Sequence, residues 1–347
     1  MDKKEKIMSR ESGPDIVRTI ACIFVVAAHF YLNCGYYNEV LVGKKMFIMT
    51  ACRWLFVSAV PLFFLLTGYF MLNKRADRKH YKNLITLSIS YIVVSVLKMI
   101  LYNRLYGTIY TPVGMLKNLG NYQIAWYMGM YLCLFLLIPF LNKMWHALDE
   151  KEKRILIGTM IFLCALYPIF YTVAPSYFVG IYPVMYYFIG AYIREKQFDY
   201  NKIILIAITL LVSILEAVIS FRFTKTGTFD WTVISTADGT YGTLFMCITG
   251  VCIFLAFYKT SVKSYALKRI LASISGVSFE IYLFAGAYDA IIYQYLKRTL
   301  NGPNEFFWWF FATVPASFIA AYFTSIIFSG IVKIIVSKVE SRITRNK

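Results

Sequence analysis

Seven ionisable side chains stand inside long apolar stretches of this 347-residue sequence: Arg18, His29, Arg53, Lys98, Glu216, Glu280 and Asp289. Holding such a group in a bilayer costs about 2.5–3.5 kcal/mol on insertion scales, so each one retained there is a functional candidate. Arg18 and His29 have the most informative spacing. They are eleven residues apart, which at about 100° per residue is three turns plus about 20°, so both project from one face of a helix. Along the axis they lie roughly 16 Å apart, which puts Arg18 near one end of the span and His29 in its interior. A guanidinium presents a planar fork of donors suited to phosphate. An imidazole, with an ordinary pKa of about 6.5, is the usual side chain for taking a proton from a hydroxyl. A cation at the mouth and an imidazole deep within suit an elongated anionic ligand entering from the cytoplasm. Coenzyme A has that shape, with phosphates at one end and a thioester on a long flexible arm. The competing readings are a snorkelling arginine and a helix-packing histidine; neither accounts for the shared face.

The elements that must carry these groups are membrane helices. The chain is 59% hydrophobic and 16% charged, outside the range of soluble domains, and windows of roughly 20 apolar residues, one bilayer span each, recur along its whole length. Ten spans are expected, near 16–34, 47–72, 84–101, 124–140, 155–172, 177–193, 203–221, 241–258, 274–296 and 306–334. The expected fold is therefore an all-α polytopic bundle, one integral-membrane domain over residues 1–347 with no soluble domain appended. The first apolar run carries Arg18 and His29 and lacks a small-residue cleavage site after it, so it reads as a retained span.

The net charge of +18 would suggest nucleic acid in a soluble protein, but here the cations alternate between loops. Twenty-four of the Lys and Arg residues fall in one set of connections and termini and eight in the other. By the positive-inside rule this puts both termini in the cytoplasm, and the alternation holds to the last residue, as it would not if one span were missed. The seven cysteines are scattered through apolar segments without a C-x-x-C pair, and three histidines are too few for a metal cluster; no metal site and no nucleic-acid partner is expected.

Other residues carry weaker signals. Glu280 and Asp289 are nine residues apart on one expected helix, about two and a half turns, and so face opposite sides. Glu280 is expected to orient Arg18 or His29, or to settle a buried charge on Lys98 or Arg53; Asp289 and Glu216 are less informative. Pro61 and Gly68 point to a bend or a close helix contact in the second span, the contact being favoured. In the outward loop, Asp230, Trp231 and Asp238 with Arg222 have the chemistry of sugar recognition, an aromatic face and charged groups for hydroxyls, against the plainer reading of an interfacial Trp.

The stretch Asp15-Ile-Val-Arg18-Thr-Ile-Ala21, continuing through Val25-Val26 to His29, resembles the first-helix signature of the acyltransferase family 3 membrane proteins, an Arg and a His separated by ten residues. Val60-Pro61-Leu-Phe63-Phe64-Leu-Leu-Thr67-Gly68-Tyr69-Phe70 is similar to the family's Phe-Phe-x-x-Ser-Gly segment, with Thr for Ser. Trp126-Tyr127 leading to Pro139, Tyr187-Phe188-Ile-Gly190-Ala-Tyr192, and Ser278-Phe279-Glu280-Ile-Tyr282-Leu283 resemble further landmarks. The resemblance implies ten or so helices in a bacterial-type cell membrane and transfer of an acyl group, acetyl from acetyl-CoA being the expected case, to a hydroxyl of a surface polysaccharide or lipid-linked glycan. Acyl-CoA is then a co-substrate, and no bound cofactor is expected. It carries over Arg18 and His29 alone as catalytic-site residues; Asp15, Glu280, Tyr282 and Trp126 stand beside them as supporting candidates. Many relatives have a His where Ile124 stands and another where Phe284-Ala285 stand, departures that bear on the acceptor and the acyl group. The alternative is a polysaccharide exporter or flippase, which should show repeated halves and paired broken helices; the sequence shows no internal repeat.

Overall fold

The computed structural model describes residues 3–107, 109–166, 176–234 and 240–345. Among these the chain is helical, and its one β-type pairing is an isolated antiparallel bridge between Val40 and Thr228. In order, the helices are α1 (Lys3–Met8), α2 (Ser12–Asn33), α3 (Gly43–Val57), α4 (Ala59–Met71), α5 (Arg78–Tyr106), α6 (Pro112–Gly120), α7 (Trp126–Ala147) and α8 (Glu150–Cys164). They continue with α9 (Tyr182–Lys196), α10 (Lys202–Phe223), α11 (Leu244–Phe257), α12 (Tyr265–Gly276), α13 (Ser278–Leu296), α14 (Pro303–Phe306) and α15 (Phe310–Arg345).

Starts are set by short polar side chains that satisfy backbone N–H groups left open in a first turn. Asp77 accepts from the His80 amide, Asn201 from Ile203 and Ile204, and Asp149 forms a reciprocal capping box with Glu152. Six helices among the described residues are long and apolar enough to cross a membrane, or seven if the bent pair α12–α13 counts as one. Their outer surfaces are apolar: Ile203, Leu211, Phe223, Phe311 and Ile327 are each more than 60% exposed, which only a lipid surround makes favourable. The protein is therefore multi-pass. Each expected span overlaps a helix, although the end of the one at 155–172 lies outside the described residues. Some helices are shorter than a bilayer core is thick: α11 has 14 residues, about 21 Å, against roughly 30 Å.

α2 is the axis of the bundle, packed against α3, α4, α11, α12, α13 and α15. α4 lies against α9 at backbone contact. A Cβ on Gly68 would come 2.0 Å from the Tyr187 carbonyl oxygen, and one on Gly190 would come 2.1 Å from that of Leu65, so only glycine permits the approach. Close packing is thus what Gly68 provides. Pro61 sits in the first turn of α4, after a break at Ser58, where its missing N–H costs nothing. Of the cysteines, Cys22, Cys34, Cys164, Cys247 and Cys252 are buried, Cys52 is half-buried and Cys133 is exposed, all as free thiols.

Candidate functional site

Arg18 and His29 line one cavity of about 250 Å³. Its walls are α2, the end of α3, α4, Leu87 of α5, the first two turns of α7 and the start of α13, with Tyr37, Trp231 and Tyr241 from the connections between helices. The face predicted from their spacing is the face that meets the cavity. Trp126, Tyr127 and Tyr282 also line it, Trp126 stacking on Tyr241 at 4.9 Å. The Tyr282 hydroxyl accepts from the Tyr127 amide at 3.3 Å, one of the N–H groups a helix start leaves open, and so ties α13 to α7.

His29 does not stand alone. Its Nδ1 lies 2.8 Å from Oδ2 of Asp289 on α13, whose Oδ1 accepts from the Ser317 hydroxyl of α15 at 2.6 Å. A carboxylate only accepts, so Nδ1 donates, and in the neutral imidazole Nε2 then keeps its lone pair. Asp289 is buried, whereas His29 retains 23% side-chain exposure: the carboxylate is sealed among helices and the imidazole opens on the cavity. Asp289 is among the less informative residues in the sequence because its partner lies 260 residues away; the available signal is one carboxylate and one histidine, each inside an apolar span.

Arg18 bridges two spaces, the cavity and a shallower recess at its mouth lined by Arg10, Glu11, Asp15, Phe70 and Arg194. Its Nη1 donates to Ser275 Oγ at 2.6 Å, and its guanidinium lies 5.1 Å from the Phe70 ring centre. Arg10 donates to both oxygens of Asp15, at 2.5 and 2.6 Å, and to the same Ser275 hydroxyl at 3.2 Å. That bond to Asp15 raises the Arg10 pKa above its already high ordinary value, so its charge is permanent. Arg194 donates to Glu11 at 3.1 Å and to the Tyr69 hydroxyl at 2.8 Å. Three guanidiniums and two carboxylates therefore ring the mouth. Ser275, which nothing in the sequence marks, reaches it because the chain turns by 74° between α12 and α13.

Several expectations are corrected. Glu280 pairs with neither Arg18, His29, Lys98 nor Arg53; it accepts from Ser90 of α5 at 3.4 Å and does not line the cavity. Lys98 is instead within electrostatic reach of Asp289, the opposite face of α13. Arg53 is fully buried in a cage of aromatic rings, 3.5 Å from the Trp231 centre, 4.2 Å from Phe229 and 4.3 Å from Trp54. Trp231 lines the cavity and stacks on Tyr37 at 5.8 Å. Asp230 does not reach the cavity: its carboxylate caps the next turn, accepting from the Thr232 amide and hydroxyl at 2.8 and 2.7 Å. Asp238 lies outside the described residues.

A family model for an acyltransferase domain, that of acyltransferase family 3, matches residues 11–326. Comparison with curated proteins finds no match, and neither does comparison with solved structures.

Proposed function

The chain belongs to the acyltransferase family 3 domain proteins, and from that premise we propose that it transfers an acyl group, acetyl in the simplest case, from acyl-CoA to a hydroxyl of a surface polysaccharide or lipid-linked glycan. The observation that carries this reading is that Arg18 and His29 line one cavity while Arg18 also faces the cationic mouth. Phosphates of coenzyme A bind at Arg18, with Arg10 and Arg194 adding positive potential. The pantetheine arm lies along α2 and brings the thioester to His29. Nε2 of His29 takes the proton of the acceptor hydroxyl as its oxygen attacks the thioester carbon. The C–O bond forms, the C–S bond breaks, and the proton passes to the departing thiolate. Asp289 holds Nδ1–H and stabilises the imidazolium that forms in between. The ring faces of Trp126, Tyr241 and Trp231 give a sugar a surface to stack on.

The same reading puts the protein in the cell membrane of a bacterial-type cell, as a single domain of ten spans with both termini in the cytoplasm. Donor then enters from the cytosol and glycan from the outward loops. The test is mass spectrometry of surface glycans from cells carrying wild type or His29→Ala. Wild type adds one acyl unit, and the variant accumulates in the membrane but adds none. Full acylation by His29→Ala refutes the mechanism. Movement of glycan by reconstituted protein without acyl-CoA favours an exporter.

A further inference from the structure

Lys98 is buried in the last third of α5, and the reaction proposed above does not use it. An ammonium has three donors and is costly to hold away from water unless they are met or its charge is offset. Its hydrogen bond is long, 3.4 Å to the Ile124 carbonyl oxygen just before α7. Its Nζ lies in a notch on α13: a Cβ on Gly286 would come 2.7 Å from Nζ and 3.3 Å from Cε. Gly286 precedes Asp289 by three residues, so the two share a face one turn apart. Among the described residues, Asp289 is the acidic group that acts electrostatically on Lys98. The groups in reach of Asp289 are then His29 from α2, Lys98 and the Tyr102 phenol from α5, the Tyr293 phenol on its own helix and the Ser317 hydroxyl from α15.

We infer that Lys98 is a positioning residue for acyl transfer, its ammonium offsetting the Asp289 carboxylate through the Gly286 notch so that His29 keeps a free Nε2; this rests on the reading of His29 as general base. In a low-dielectric interior an unopposed carboxylate draws a second proton onto the imidazole it holds, and a protonated imidazole is no base. A cation on the far side of Asp289 weakens that pull. Lys98 touches neither donor nor acceptor and acts through Asp289 alone.

The experiment is a double-mutant cycle on acyl transfer by purified full-length protein, using Lys98→Met, Asp289→Asn and the pair, with membrane abundance and melting temperature measured for each. Lys98→Met lowers kcat on the order of tenfold and leaves KM for acyl-CoA within about twofold. In the Asp289→Asn background the same change has no further effect. Lys98→Gln keeps a donor for the Ile124 carbonyl without the charge and loses activity as Lys98→Met does; it also stands in if Lys98→Met fails to accumulate. Additive losses in the cycle, or full activity in Lys98→Gln, overturn the inference and leave Lys98 as a brace between helices. Inactivity of the wild type towards acyl-CoA and glycan overturns the underlying reading instead.

Discussion

Asp289 gives the imidazole a defined tautomer, and its substitution separates a positioned base from a merely present one. With Asp289→Asn the amide can donate to Nδ1, which moves the ring proton to Nε2 and removes the lone pair from the cavity. The rate constant for acyl transfer is expected to fall on the order of 10²–10⁴-fold. KM for acyl-CoA should stay near wild type, because Arg18 at the mouth lies about three turns away on α2; steady-state kinetics on purified protein checks both. A fall confined to KM would place Asp289 in binding. At this scale Arg18 and His29 were legible because their relation lies within one helix. Asp289, Ser275 and Ser317 were not, because their roles depend on which helices cross and where.

At the scale of elements, the contact between α4 and α9 holds one wall of the cavity. Phe63 and Thr67 of α4 line the cavity, while Gly68 and Gly190 make the contact behind them. Gly190→Leu cannot be accommodated without parting the helices and should destabilise the protein by at least about 1–3 kcal/mol, read as a lower melting temperature in detergent and as lost activity. Gly158→Ala is the matched control. It lies within α8 with nothing within 4 Å of an added Cβ, so it should leave stability unchanged or raise it by about 0.5–1 kcal/mol. Sequence patterns located α4 and α9 as apolar segments with glycines. They did not reveal that these two glycines meet, since apposition of segments more than 100 residues apart is absent from either one. The 74° turn between α12 and α13 was equally hidden: one apolar run was expected from residue 274, and the amphipathic stretch before it folded as a separate helix.

For the whole molecule, the charge alternation makes a prediction about topology. Reporter fusions at either terminus should be active on the cytoplasmic side. Reporters inserted near residues 109–111 or 225–227, in the connections after α5 and α10, should be active outside. A reporter at the carboxyl terminus on the outer side would mean an odd number of spans and would separate the donor mouth from the cytosol. The connections before α3 and after α10 also close the bundle. Leu41 donates its amide to the Gly227 carbonyl at 2.8 Å, pinning the loop that carries Trp231 over the cavity end, with Arg53 beneath it. From sequence that loop reads either as an interfacial Trp or as a sugar-binding surface with two acidic groups; in the fold Trp231 reaches the cavity, whereas Asp230 is spent on its own turn.

What the sequence determined by itself is what short-range physics decides. Apolar stretches of span length require helices because a bilayer leaves backbone groups no other partner, loop cations bias orientation, and a spacing of eleven residues aligns an arginine with a histidine on one face. Tertiary structure decided the rest: that this face opens on a cavity, that Asp289 rather than Glu280 meets His29, that Lys98 lies near Asp289, and that Ser275 joins two arginines at the mouth. Each of these depends on the order and crossing of helices distant in the chain. Helix packing selects among many arrangements of similar apolar faces, and no single segment records which one wins.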